Sequence, residues 1–407
     1  MSRALSTGRH LLAAEWRLVR RDRAFWAALA LLVAGLAAAS VSGAVWLRGQ
    51  EVQVAEATGP THDRETDAAR GRQWVALPPT ALAMLSVGHS DVHATSLRLS
   101  VGTPDAMTLG APIGNPVARV LGRFDVAFVI VVLAPLIVIA VTFDVLAADR
   151  EAGRLALAVA GGRSIGGLLV ARLGLRAGLL VACAVAVPVA AVVARAGVPS
   201  GDVPLLVLWA LVVMAYLGSW AAVGALANAR GARSATSLVA LVAGWAVVVL
   251  AAPALLGLVA RTVHPTPSRP ALVVAMWGAV TPEDVPGFYA GLRREDDALP
   301  TLVASFEEEV ARQQDMAARW RFVSPAAVAR DAFDAIAGTG LDRHRAFVAQ
   351  VHRYRSASQR GGAPAFAFAE PPASATVGRV LAGLAALIAG GVVVALATAR
   401  LGRRASA

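Results

Sequence analysis

Three potential metal ligands fall within five residues at His89-Ser90-Asp91-Val92-His93. His and Asp both suit zinc. The spacing is not that of a helical His pair flanking a catalytic Glu, and no further His lies nearby, so that His264 joins only if the fold brings it in. Surface or hydrogen-bonding roles are the simpler reading of His89, Asp91 and His93, and no metal or cofactor is expected. Ser86, Ser268 and Ser324 lack the G-x-S-x-G turn that exposes a nucleophilic serine. The acidic runs Asp296-Asp297 and Glu307–Glu309 read as solvated helix faces. The chain contains no Lys, so all 38 basic residues are Arg. A P-loop needs a Lys on the phosphates, and pyridoxal phosphate needs a Lys for its Schiff base. If ATP drives this protein, another chain must bind it, and this chain is expected to catalyse no reaction.

The elements that must carry these residues are mostly apolar. Hydrophobic residues make up 57% of the 407, above the roughly 45–50% of soluble domains. A bilayer core takes roughly 20 apolar residues as helix, and six stretches qualify: 24–47, 124–147, 168–194, 204–227, 236–260 and 376–399. Pro135, Pro188 and Pro253 fall within spans two, three and five and read as kinks, because neighbouring helices can satisfy the carbonyls they free. The expected fold is an all-α polytopic membrane protein of six transmembrane helices with a mainly helical extracytoplasmic domain. Small residues after the first apolar stretch (Ala39, Ser40, Ser42, Gly43) would suit a signal peptidase, but the long 23-residue lead with Glu15 and Trp16 favours a retained span. The single Cys183 lies in an apolar run, so no intramolecular disulfide can form.

Arginine placement orients the spans. Arg3 to Arg23, then Arg150, Arg154 and Arg163, then Arg230 and Arg233, then Arg400 to Arg404 fall on one side if there are six spans. The positive-inside rule makes that side cytoplasmic, with both termini inside. Segment 48–122 carries 6 Arg against 7 acids, and 261–375 carries 13 against 13. The outer segments thus net −1 while the rest of the chain carries +12. The net charge of +11 is topology charge and needs no nucleic acid to explain it. Abundant Ala, Gly, Val and Arg fit a GC-rich bacterial genome, so the expected location is a bacterial inner membrane.

Outside the spans, residues 1–23 hold an interfacial helix. Leu5, Leu12, Trp16 and Val19 recur at three- and four-residue spacing among Glu15, Arg17, Arg21 and Arg23. Arg172 and Arg176, at the start of span three, are placed to snorkel. Segment 48–122 begins as polar helix or loop, turns Gly- and Pro-rich, and is expected to pack on the larger outer segment. That segment, 261–375, shows apolar residues at helical spacing from Leu299 to Trp320. Glu308–Arg312 and Asp315–Arg319 are i,i+4 pairs of favourable order. Ser324-Pro325 spells a capped helix start, that helix ends near Gly338 and Gly340, and a further helix follows over about 342–356. The span interiors lack midplane charges, which lowers an ion-coupled reading.

Several stretches resemble bacterial ABC-2 type permeases of a branch with a large periplasmic insertion between the last two spans. They are Glu15-Trp16-Arg17, Arg21-Asp22-Arg23, Leu77-Pro78-Pro79, Ser86-Val87-Gly88-His89-Ser90-Asp91, Asn115-Pro116 and Gly122-Arg123-Phe124-Asp125. His264-Pro265-Thr266-Pro267, Phe322-Val323-Ser324-Pro325 and Ala337-Gly338-Thr339-Gly340 continue the pattern. The family more often has Gln where this chain has His89. The segment 148–167, with Asp149, Arg150, Glu151, Gly153, Arg154, Leu155, Arg163 and Ser164, resembles the family's cytoplasmic coupling loop. Arg154 stands there for the usual Thr, and Gly161-Gly162 for a common Pro. The resemblance implies that this loop docks on a separate ATPase subunit and that two permease halves pair, as a homodimer or with a sister permease. The rival expectations are a membrane-anchored scaffold and an enzyme housed in the outer domain.

Overall fold

The structure is a computed structural model, and it describes residues 12–59, 72–91, 95–100, 107–109, 123–161, 165–231, 233–265, 308–359 and 365–404. Six helices among them are long and apolar enough to cross a membrane. They are α2 (Arg23–Thr58), α3, α6 (Ile165–Ala196), α7 (Val203–Ala229), α8 and α12 (Ala373–Arg404). α3 is built of Val126–Phe128, a π turn at Val129–Leu133 and Ala134–Thr142. α8 is built the same way, from Ser234–Trp245, a π turn at Ala246–Ala251 and Ala252–Val263. A short α1 (12–19) precedes α2, and α4 (Ala147–Glu151) and α5 (Arg154–Ala160) join α3 to α6. The expectation of a mainly helical polytopic membrane protein with six spans holds.

α3 is the centre of the bundle: 61% of its most apolar stretch is buried, against 11% for α8 at the periphery. α7 packs along α12, α2 along α6, and both α2 and α7 touch α3. Trp209 and Tyr216 of α7, Phe25 and Leu36 of α2, and Ile130 of α3 are enclosed in one core. Large aromatic side chains contribute most to such packing, because each buries the most area.

Each π turn stands just before a proline. Pro135 and Pro253 have no N–H to offer the carbonyls of the preceding turn, and those carbonyls find side-chain donors instead. The Tyr216 hydroxyl donates to the Val131 carbonyl at 2.8 Å, and the Trp245 indole donates to that of Val132 at 3.1 Å. The Ser324 hydroxyl donates to the Val248 carbonyl at 2.8 Å. The prolines therefore reshape the hydrogen-bond ladder locally and fix which neighbours must lie beside it.

The insertion between α8 and α12 contains a helix over 308–320 (α9), α10 (Pro325–Ile336) and α11 (Leu341–Gln359). α10 does not sit apart from the bundle. Its Ala326, Val328, Ala329, Ala332 and Phe333 belong to the same core as the spans, and the rings of Phe333 and Trp209 lie 5.8 Å apart. Ser324 caps α10 as its sequence announces, accepting from the Ala327 N–H. The Glu308–Arg312 pair forms at 2.6 Å, whereas Asp315 reaches Arg345 of α11 at 2.8 Å.

A three-stranded antiparallel sheet, unforeseen in the sequence, occupies part of the segment after α2. β1 (Arg72–Ala76) pairs with β2 (Ser96–Ser100), which pairs with β3 (Met107–Leu109). Val75, Leu97 and Leu99 bury one face against Phe347 and Val351 of α11. The alternation Ser96-Leu97-Arg98-Leu99-Ser100 is the period-two signal of a strand buried on one face.

Candidate functional site

Two polar constructions stand at opposite ends of the bundle. At one end, α4 and α5 are wired to the ends of several helices. Asp149 binds Arg172 of α6 at 2.5 Å and Arg154 of α5 at 2.7 Å. Arg172 also reaches Glu15 of α1 at 3.3 Å and donates to the Val145 carbonyl at 2.9 Å. Arg176 binds Asp22, the residue that caps α2 by accepting from the Phe25 N–H. The snorkelling expected of Arg172 and Arg176 is thus corrected: carboxylates within reach draw both guanidinium groups inward, where they stay paired rather than solvated.

The same end is tied to α7 and α8. The Asn228 side chain of α7 donates to the Thr142 and Gly224 carbonyls, at 2.7 and 2.9 Å, and accepts from the Leu146 N–H at 2.9 Å. Arg150 donates to the Asn228 carbonyl at 3.1 Å. The Glu151 carboxylate accepts from both the N–H and the hydroxyl of Ser234, at 2.9 and 3.1 Å, in the first turn of α8. A carboxylate is favoured there by the unpaired N–H groups and dipole of a helix start. Leu155 is buried among Leu146, Leu168 and Leu173. Between α4 and α5 the chain turns at Gly153 with φ +72°, a region that favours glycine. Leu157, two residues beyond Leu155, is 75% exposed.

The interfacial segment divides by side chain. Val19 is enclosed in the core and Glu15 is buried, while Trp16 is exposed and Arg17, Arg21 and Arg23 carry no ion pair among the described residues. Arg163 and Ser164 lie outside the described residues, as does His93; the side chains of His89 and Asp91 are likewise not described. Among the described residues no three His, Cys, Asp or Glu side chains gather as a metal site.

At the other end, sequence stretches far apart in the chain meet on Asp125. This residue is fully buried and caps α3, accepting from the Phe128 N–H at 2.6 Å. It also accepts from the Val87 N–H at 2.9 Å and takes the two terminal nitrogens of Arg330 at 3.2 and 3.1 Å. The Nε of Arg330 lies 3.3 Å from Asp334, whose carboxylate also accepts from the Ser86 hydroxyl. Thr339 donates to the Ser86 carbonyl at 2.9 Å. Burial pulls the Arg330 pKa down, but Asp334 and Asp125 outweigh it and hold the guanidinium above its ordinary range. Gly88 closes the knot with φ +52°; a Cβ there would stand 2.7 Å from the Thr339 hydroxyl. Arg379 of α12 joins the same end by binding Asp331 of α10 at 2.7 Å.

Sequence reasoning picked out Ser86, Asp125, Ser324 and the Gly338-Thr339-Gly340 turn, but not the Arg330 and Asp334 that join them. These two stand one helical turn apart on α10, charged residues amid Ala-rich sequence. Beside the knot opens a cavity of about 1140 Å³. Phe128, Val131, Leu205, Val249 and Pro253 line its apolar side.

Residues 269–378 are similar to a family described as a domain of unknown function, DUF3526. That stretch contains α9 to α11 and the first turns of α12. No curated protein and no solved structure matches the chain.

Proposed function

We propose that this chain is the membrane-spanning half of an ABC-2 type transporter, driven by an ATPase on a separate polypeptide. The observation that carries the reading is the wiring of α4 and α5. Three consecutive residues, Asp149, Arg150 and Glu151, link this loop to α6, α7 and α8, and through Arg172 to α1, while Arg154 braces Asp149 from α5. Beyond these ties α5 presents the exposed Leu157. A rigid loop anchored to several span ends transmits a push at its free face to all of them together.

In this reading the loop end is cytoplasmic and carries the Arg excess, and the insertion lies outside. Two copies, or one copy with a sister permease, assemble with two ATPase subunits. ATP-driven closure of those subunits presses on 149–161, tilts α3 and α6, and opens or closes a path toward the cavity at the other end. The absence of Lys from the sequence supports placing the nucleotide chemistry on a partner.

The test is purification of the tagged chain from its native membranes, followed by ATP turnover. An ATPase subunit carrying a P-loop is expected to co-purify. Glu151→Arg, which sets a cation against the start of α8, is expected to lower chain-dependent turnover about tenfold, a change of about 1.4 kcal/mol. A preparation free of any ATPase, or unchanged turnover in the variant, contradicts the proposal.

A further inference from the structure

The cavity at the insertion end is lined by apolar residues of the spans and by charged and small apolar residues of the insertion and α12. Its membrane side is made of Phe128, Val131 and Val132 of α3, Leu205 of α7, and Val249 and Pro253 of α8. Both π turns contribute to this side, and π turns recur at functional sites because they re-aim the surrounding side chains. At about 1140 Å³ it stands above the roughly 300–1,000 Å³ common for small-molecule pockets.

The other side is charged, and its charges are unequal. Four guanidinium groups line it, and each is already engaged. Arg330 is held by Asp125 and Asp334, Arg379 by Asp331 and Asp342, Arg343 by Glu370, and Arg321 by Asp331 at 3.4 Å. Five carboxylates line the same cavity: Asp202, Asp331, Asp334, Asp342 and Glu370. Asp202, at the start of α7, is part-buried and has no ion pair or side-chain hydrogen bond among the described residues. An anion entering here would compete with the carboxylates that already hold the arginines, and would meet their charge. A cation meets Asp202, which holds no ion-pair partner among the described residues.

We propose that this cavity binds a lipophilic cation, with its apolar body against α3, α7 and α8 and its amine or quaternary ammonium end facing Asp202. The assignment rests on the permease reading for its meaning as a transport site, while the binding itself requires only this chain.

The test uses the purified full-length chain in nanodiscs and two probes of nearly equal shape and opposite charge, tetraphenylphosphonium and tetraphenylborate. Equilibrium dialysis is read after subtracting the uptake of protein-free nanodiscs. Saturable, protein-dependent binding of the phosphonium is expected, at least about tenfold tighter than that of the borate. Asp202→Asn is expected to weaken the phosphonium about tenfold and leave the borate unchanged. Leu205→Trp, which fills the apolar side, is expected to abolish saturable binding, and Val249→Phe provides the same readout should the first variant fail to fold. No protein-dependent binding of either ion, equal or tighter binding of the borate, or affinities unchanged in Asp202→Asn and in the folded filling variant overturn the proposal. Co-purification of an ATPase is measured without any ligand, so the binding site and the permease reading can fail separately.

Discussion

Asp125 is sealed from water, and two backbone N–H groups and two guanidinium nitrogens point at its side-chain oxygens. Breaking a buried ion pair by removing one partner costs roughly 3–5 kcal/mol, since the other charge is stranded. Arg330 keeps a third of its side chain exposed, which moves the expected loss to the lower end. Arg330→Leu should therefore destabilise the protein by about 3 kcal/mol in thermal or denaturant unfolding in detergent. Arg330→Lys should recover only part of that loss, because an ammonium cannot reproduce the planar fork that serves both oxygens of Asp125. Equal stability of Arg330→Leu and the unsubstituted protein would show that the knot carries no such load. This partnership was not readable in the sequence: Arg330 and Asp125 are 205 positions apart, on elements joined only by the fold. The Ser324-Pro325 cap was readable, because a helix start is written in adjacent residues.

At the scale of elements, the six long helices were legible for a physical reason. A span must be apolar over about 20 residues whatever its neighbours are, so its signal is local and does not depend on packing. The two π turns were not. Pro135 and Pro253 announce missing N–H groups, but which carbonyls shift and what satisfies them depends on Tyr216, Trp245 and Ser324 from other elements. The sheet was missed for a different reason: β2 is five residues long and neither β1 nor β3 adjoins it in the sequence, yet its alternation was on view in Ser96-Leu97-Arg98-Leu99-Ser100. That sheet and α11 share a core of their own, separate from that of the spans. Leu99→Asp, placing a charge into it, should release the sheet from α11 while the spans remain folded. Limited proteolysis should then show faster cleavage in 72–109 or 341–359 with the bundle protected. Equal cleavage rates would contradict the packing, and collapse of the whole protein would contradict the separation of the two cores.

Across the whole molecule, one buried span joins two polar ends. At one end short helices are tied to the span ends by Asp149, Arg150 and Glu151; at the other, α10 is locked into the bundle by Asp125, Ser324 and Arg379. α3 runs between them as the most buried span, so a displacement of one end has a stiff, centrally packed path to the cavity. A push delivered by an ATPase subunit requires that α4 and α5 face the nucleotide pool. Leu157 offers the direct measurement: it is 75% exposed on α5, and Cys183 is the only native thiol. In a Cys183→Ser background, Leu157→Cys should react with a membrane-impermeant maleimide in inverted vesicles and resist it in sealed spheroplasts, and a bound ATPase subunit should protect it. Labelling of Leu157→Cys in sealed spheroplasts would put the loop on the wrong side of the membrane and end the account.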